Sequence, residues 1–106
     1  MDGRIKSELD RLIPKIIANR DVEKIILFGS HARGNPTPHS DLDICVLTRE
    51  KKRKIEILQD ISVECAFETE FPLDILVYSP EEFMHRADSR TSIESSILRN
   101  GVVVYG

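Results

Sequence analysis

A buried-strand pattern that stops abruptly at a glycine constrains this chain more than any other feature. Residues 24–28 form an apolar run with β-branched members, which is typical of a strand buried on both faces. Gly29-Ser30 follows at once and predicts a tight turn that opens a short helix. The first turn of a helix offers free backbone N–H groups and a favourable dipole, so this turn could hold a phosphate. Many helices begin with Gly-Ser, and the pair alone is weak support for such a site.

Two carboxylates stand at the start of the next predicted strand. A polar loop with two prolines covers residues 35–40, and Asp41 and Asp43 then begin a strand that runs to Thr48. Residues i and i+2 of a strand point to the same face, so two negative charges would lie close together. A divalent cation commonly offsets such repulsion, and oxygen ligands favour Mg²⁺. On spacing alone, a turn cap followed by a solvated strand residue remains an alternative.

The N-terminal segment predicts an amphipathic helix over residues 4–20. Its apolar residues recur at helical spacing: Ile5, Leu9, Leu12, Ile13, Ile16 and Ile17. Pro14 cannot donate a backbone hydrogen bond and clashes with the preceding turn of a helix. We therefore expect a kink at Pro14, or a break that places it in the first turn of a second helix.

The remaining chain continues the alternation of helices and strands. Residues 55–69 predict a helix, residues 73–78 a strand that carries Asp74, and residues 102–105 a short closing strand. Ser79-Pro80 followed by Glu82 is a strong helix start with a capping box, and this helix should end before residue 88. A last helix over residues 92–100 should be capped by Gly101. The order predicts one domain, residues 1–106, of the α/β (α+β) class with a small mixed sheet flanked by helices.

Composition excludes some classes of partner. The net charge of −3 gives no general attraction to nucleic acid, which argues against direct nucleic-acid binding. No apolar run approaches the length of a membrane span, and the charged N-terminus has no signal-peptide pattern. Cys45 and Cys65 form no recognisable pair and are expected as small buried side chains. We expect a cytoplasmic protein without membrane contact.

The two motifs together resemble a known signature. Gly29-Ser30, ten intervening residues and then Asp41-Leu42-Asp43 resemble the signature of the nucleotidyltransferase superfamily related to DNA polymerase β. Residues 29–34 with residues 40–43 are similar in particular to the minimal nucleotidyltransferases, the MntA-type antitoxins found beside HEPN-domain partners. The resemblance covers the whole chain, because the helices and the strand with Asp74 fall where that family has them. It implies a polymerase β-like nucleotidyltransferase fold.

The resemblance also implies roles for individual residues. Gly29 and Ser30 would hold the β- and γ-phosphates of a nucleoside triphosphate, while Asp41 and Asp43 would ligate Mg²⁺. Asp74 would be the third carboxylate, bound to a second Mg²⁺ ion and placed to take a proton from the attacking hydroxyl. Arg33 has two open interpretations: it pairs with a triphosphate oxygen, or it fixes the loop through Asp or backbone carbonyl groups.

The implied activity is transfer of AMP from ATP to a tyrosine of a HEPN-type RNase toxin, which would silence the toxin. The chain is too short to include the helical domain with which larger members position an acceptor, so a partner must present the hydroxyl. Two alternatives stay open: an antitoxin that acts by complex formation alone, and nucleotidyl transfer to a small molecule such as an aminoglycoside.

Several charged and ring side chains have no clear function at this level. His39 and His85 lack metal-ligand spacing and are expected at the surface. For His31 the alternatives are those of Arg33, contact with a triphosphate oxygen or with the loop, and we expect a solvent-exposed helix position. The basic run at residues 51–54 predicts a solvated face, with an acidic partner or RNA as alternatives.

Overall fold

Four strands form one mixed sheet in the computed structural model, which describes residues 2–106. The elements in chain order are α1 (Gly3–Ile17), β1 (Val22–Phe28), α2 (Gly29–Arg33), β2 (Leu42–Thr48), α3 (Lys54–Cys65), β3 (Leu73–Tyr78), α4 (Pro80–Ala87), α5 (Ile93–Asn100) and β4 (Val102–Tyr105). The predicted α/β class and small mixed sheet are confirmed. No helix within the described residues combines the length and the apolar character that crossing a membrane requires.

The strand order is β3-β2-β1-β4. β1 pairs antiparallel with β2 and with β4, whereas β2 and β3 run parallel. The parallel pair needs a crossover connection, and α3 supplies it. The two strands that were predicted to carry acidic residues are therefore neighbours, and β3 and β4 form the two edges of the sheet.

Alternate residues of the strands build two cores on opposite faces of the sheet. On one face, the apolar sides of α1 and α3 cover residues such as Ile44 and Val46. On the other face, Phe83 of α4 and Ile97 of α5 pack on Cys45 and its neighbours. Because both faces are covered, the middle of the sheet is held rigidly from two sides.

Both cysteines are buried as free thiols, as predicted. Burial raises the pKa of Cys45 to about 12 and that of Cys65 to about 11. A thiol of such high pKa stays protonated at neutral pH and is a poor nucleophile. The two residues act as small apolar side chains of the core.

Of the two alternatives at Pro14, the break is wrong, because α1 continues through it to Ile17. The kink stays a prediction. Pro14 lies in the last turn, where the missing N–H leaves only one carbonyl, that of Asp10, without its helical donor. The helix ends soon afterwards, and the N–H of Ala18 donates to the carbonyl of Pro14 at 3.2 Å. At the other end, the side chain of Asp2 accepts the N–H of Arg4 at 2.7 Å and caps the helix.

The predicted extent of the third helix is also wrong, because α3 ends at Cys65 and not at residue 69. The N–H of Ala66 donates to the carbonyl of Val63, and that of Glu68 to the carbonyl of Cys65. These are tighter i to i+3 bonds, which unwind the helix into a turn. The turn brings Phe71 back onto the sheet and starts β3.

The helices on the other face begin as predicted. The hydroxyl of Ser79 accepts the N–H of Glu82 at 3.1 Å, and that of Ser92 accepts the N–H of Ser95 at 3.0 Å. Gly101 follows α5 at the cap position but has an extended backbone, with φ −75° and ψ 163°. A Cβ at this position would lie 2.5 Å from Cγ2 of Ile26. Glycine is needed here for close packing and not for a left-handed cap.

Leu12 should carry a large share of the stability of the α1 side of the core. It is fully buried, so Leu12→Ala should lower the free energy of unfolding by about 2–5 kcal/mol. Leu98 of α5 is 49% exposed, and Leu98→Ala should cost less than about 1 kcal/mol. Urea unfolding of both variants measures the difference. Equal losses would contradict this assignment of the core.

Candidate active site

The turn after β1 is built on two left-handed glycines. Gly29 has φ +76° and opens α2, and Gly34 has φ +78° and ends it, with its N–H bonded to the carbonyl of Ser30. The residue before the helix, Phe28, offers no side-chain cap. The N–H groups of the first turn of α2 are therefore not capped by the side chain that precedes them.

The carboxylates lie in line with this turn across three strands. Phe28 of β1 is paired with Asp43 of β2, and Asp43 is paired with Asp74 of β3. Asp43 alternates with Ile44, which belongs to the α1 and α3 core, so the Asp43 side chain points to the α4 and α5 face. Asp74 points to the same face by the same alternation. Asp41 comes just before β2 and is exposed.

The pKa of Asp43 is raised above its ordinary value. Burial is the largest cause, and the nearby carboxylates of Asp74 and Asp41 raise the pKa further. His31 acts in the opposite direction. The three carboxylates thus interact electrostatically, and the site carries more negative charge than its surroundings neutralise.

Gly29 and Asp43 are in direct contact. A Cβ placed on Gly29 would lie 2.0 Å from Oδ2 of Asp43, a separation no real side chain could hold. Only a residue without a side chain fits between the turn and the carboxylate. A phosphate bound at the turn would therefore lie immediately beside the acidic cluster.

The donor set fits Mg²⁺ bound together with a substrate. Within residues 2–106, no group of three or more His, Cys, Asp or Glu side chains is arranged to hold a metal ion by itself. Mg²⁺ is commonly held by one or two carboxylates, with water and substrate phosphates completing its coordination. Asp41 and Asp43 provide such oxygen ligands, and the raised pKa of Asp43 marks a repulsion that a cation relieves.

Arg33 lies at the end of α2 and is exposed. The Arg33 side chain makes no hydrogen bond or ion pair with another described residue. The contacts expected if it fixed the loop are therefore not observed. Together with Gly29 it lines a cavity of about 210 Å³, whose opposite wall includes Ser96 and Asn100 of α5. The sequence gives no signal that Ser96 and Asn100 belong to this cavity, because only the tertiary packing of α5 on α2 brings them to the turn.

The prediction of a solvent-exposed His31 is wrong. Its ring is half-buried and meets the ring of Phe71 edge to face, with 5.5 Å between centroids. Nε2 is buried without a hydrogen-bond partner among the described residues. His39 and His85 are exposed, as predicted.

The fold and the order of these motifs are those of a nucleotidyltransferase domain. The sequence pattern that describes the nucleotidyltransferase domain family matches residues 4–104, which is nearly the whole chain. The chain belongs to this family. The predicted resemblance and enzyme class are confirmed at the level of the family.

Individual relatives agree with this assignment. A predicted protein adenylyltransferase of Methanocaldococcus jannaschii is 33% identical over an alignment of 66 residues, and the alignment covers 58% of this chain and 45% of that protein. The match thus spans less than half of that relative. A predicted nucleotidyltransferase of Sulfolobus solfataricus has a crystal structure that covers 99% of this chain and 88% of its own, with a TM-score of 0.57 and 17% identity.

A toxin–antitoxin structure has the same fold. A chain of this complex, crystallised with AMP-PNP, covers 95% of the present chain and 73% of its own, with a TM-score of 0.57 and 19% identity. At this level of identity, the likeness concerns the fold alone. Both solved structures thus share the mixed α/β fold of this chain.

Two glycine variants separate backbone strain from the contact with Asp43. Gly29→Ala and Gly34→Ala both force a left-handed residue, which costs about 1–2 kcal/mol. A Cβ at Gly34 meets nothing within 4 Å, whereas one at Gly29 displaces the Asp43 carboxylate. Gly29→Ala should therefore lose more stability in urea unfolding than Gly34→Ala. Equal losses would show that the contact is unimportant.

The pKa of Asp43 predicts a gain in stability when its charge is removed. A carboxyl whose pKa is raised by folding destabilises the folded state once the pH exceeds that raised pKa. Asp43→Asn should therefore be more stable than the wild type at pH 7. The difference should shrink as the pH falls through the raised pKa towards the ordinary value near about 4. Thermal unfolding between pH 4 and pH 7 measures this, with Asp10→Asn on the surface of α1 as the matched control.

Proposed function

We propose that this chain transfers AMP from ATP to a hydroxyl group of another protein. The observation that carries the proposal is the contact of Asp43 with the Gly29 turn, in line with Asp74 on the neighbouring strand. A phosphate site and an acidic cluster that share one contact suit a triphosphate bound with a cation. Family membership makes nucleotidyl transfer the reaction that such a site would perform.

The turn would bind the far end of the nucleotide. The backbone N–H groups of Gly29 and Ser30, with the Ser30 hydroxyl, would donate to the β- and γ-phosphates. The Arg33 side chain has no hydrogen-bond or ion-pair partner within residues 2–106 and would pair with a triphosphate oxygen from the end of α2. These donors leave the α-phosphate directed towards the carboxylates.

The carboxylates would bind metal and the acceptor proton. Asp41, Asp43 and Asp74 would hold two Mg²⁺ ions, which would neutralise the triphosphate and favour ionisation of the acceptor hydroxyl. A carboxylate oxygen of Asp74 would take the proton of that hydroxyl. The acceptor oxygen forms a bond to the α-phosphorus, the bond from that phosphorus to the bridging oxygen breaks, and pyrophosphate leaves with the electron pair.

The acceptor in this proposal is a tyrosine of a HEPN-type RNase toxin, and the chain is its antitoxin in the cytoplasm. The relative from Methanocaldococcus jannaschii is named for protein adenylyltransferase activity, which supports a protein acceptor. The fold is shared with a chain of a toxin–antitoxin complex that was crystallised with AMP-PNP, which supports a toxin partner and an adenine nucleotide. The two free, buried thiols suit a reducing compartment.

A second candidate is an antitoxin that acts by complex formation without chemistry. The observation in its favour is an apolar pair at and beyond the end of α3: Val63 is 75% exposed and Phe67 is 99% exposed. Side chains of this kind at a surface commonly belong to protein interfaces. Binding through this pair would not require the carboxylates.

The decisive experiment compares two double variants. The product of the neighbouring open reading frame is incubated with α-labelled ATP, Mg²⁺ and either Asp41→Asn/Asp43→Asn or the control Asp10→Asn/Asp88→Asn. Loss of two metal ligands should lower label transfer by at least about 10²–10³-fold, while the control keeps it. Transfer that persists in the first variant would refute the assigned site.

The same variants separate the two functions. If Asp41→Asn/Asp43→Asn still suppresses the partner's activity with unchanged affinity, complex formation is the better explanation. If suppression disappears with label transfer, the chemical mechanism is responsible. Mass spectrometry of the partner identifies the modified side chain.

A further inference from the structure

β3 is an edge strand, and half of its backbone groups are directed away from the sheet. Within the described residues it pairs with β2 only. The N–H of Leu42 donates to the carbonyl of Pro72 at 2.8 Å, which sets the phase of the parallel ladder. In such a ladder every second residue bonds to the neighbouring strand, so Asp74 bonds to β2 while Ile75 and Val77 direct their N–H and carbonyl groups outward. These outward groups can pair with a further strand.

A groove follows this edge. It has a volume of about 280 Å³, and its walls are formed by the start of α3 and by residues 75–78 of β3. Lys54, Ile55 and Leu58 supply the α3 wall. Residues from both faces of β3 line the groove, so it runs along the edge itself and not over one face. Ile55 is 50% exposed and leaves apolar surface beside the unoccupied backbone groups.

The two ends of the edge differ in their charged groups. Asp74 lies at one end, next to Asp43 and Asp41. At the other end, Nζ of Lys54 lies 4.8 Å from the ring centroid of Tyr78 and 2.7 Å from Oε1 of Glu82 in α4. Lys54 thus crosses the strand edge to the face on which Asp74 points. It is paired there with Glu82, and its ammonium group has further N–H donors for a second carboxylate.

We propose that an extended segment of the acceptor protein pairs with β3 as an added strand and brings its hydroxyl residue to Asp74. This inference rests on the proposed function and names how the acceptor is presented. Asp74 and Tyr78 are four positions apart, about 13 Å along a strand, and they share a face. The segment therefore carries an acidic residue four positions from the hydroxyl residue, on the same face and beside Lys54. If the two residues exchanged places, the acidic residue would lie opposite Asp74, and repulsion between the two carboxylates would disfavour that arrangement.

Backbone pairing would let this domain position an acceptor at its own edge strand. Main-chain hydrogen bonds provide affinity, and the charges at the two ends provide register and direction. A second copy of this chain could also pair with a free edge. Amide exchange measured without peptide distinguishes a second copy from the acceptor segment.

The first experiment uses synthetic peptides as probes of the edge. Eight-residue peptides rich in Val and Thr carry one tyrosine, with glutamate four positions after it or four positions before it. A third and a fourth peptide carry lysine in place of glutamate. One glutamate peptide should slow amide exchange of Ile75 and Val77 in the full chain, as measured by NMR. Protection absent with every peptide, or confined to Val63 and Phe67, would overturn the proposal.

Exchange without peptide tests the second copy. If Ile75 and Val77 become protected as the protein concentration rises, with a matching increase in mass by sedimentation, a second copy occupies the edge. That result would overturn a docking site for the acceptor. Protection that depends only on the peptide supports it.

The second experiment measures transfer of label from α-labelled ATP to the preferred peptide. Ile55→Asp places a charge in the groove and should raise the KM for the peptide by about tenfold or more. Ser62→Asp introduces the same charge at an exposed position of α3 that does not line the groove, and it should leave the KM unchanged. Lys54→Glu should reverse the preference, so that the lysine peptide becomes the better acceptor. A structural role for Lys54 would not produce this reversal, and an unchanged preference would refute the assigned register.

The two proposals fail in different ways. Peptide-dependent protection of Ile75 and Val77 without any transfer of label leaves the docking site in place and removes the proposed function. Label transfer to the partner protein that Ile55→Asp does not affect, with no protection at the edge, removes the docking site and leaves the function in place.

Discussion

The contact between Asp43 and Gly29 is the constraint on which the rest of the site depends. A carboxylate whose pKa is raised by burial and by two neighbouring carboxylates would turn towards solvent if its backbone were free to move. The β1 and β2 ladder prevents this, because it pairs Phe28 directly with Asp43. The cores on both faces of the sheet hold the ladder in place. The folding energy of the whole domain thus maintains one unfavourable cluster of charge, as is common at functional sites.

Local patterns predicted most of the elements and the acidic residues. Apolar periodicity located the strands and helices, and the caps at Ser79 and Ser92 depend only on residues close to them in sequence. The predicted break at Pro14 is wrong because the effect of a proline depends on its distance from the helix end, and α1 ends three residues after Pro14. The predicted end of α3 is wrong because the apolar spacing continues to Ala66, whereas the chain must already turn there to bring Phe71 to the sheet.

Contacts between distant segments account for what could not be predicted. The environment of His31 is set by Phe71, forty positions along the chain. The wall formed by Ser96 and Asn100 beside Arg33 depends on the packing of α5. The strand order, which makes β3 an edge, has no signal in any single stretch. The Gly29 turn and the carboxylates therefore follow from motifs, whereas the surroundings of Asp74 follow from topology.

The alignment of Phe28, Asp43 and Asp74 in one row across three strands has a consequence for how such a chain can change its length. Side chains alternate along a strand, so a single-residue deletion within β2 before Asp43 would turn that carboxylate into the α1 and α3 core. The loop between Gly34 and Asp41 lies outside both ladders and can absorb a residue more or less at little energetic cost. Among relatives of this chain, insertions and deletions should therefore be found in that loop and not in the two strands beside it.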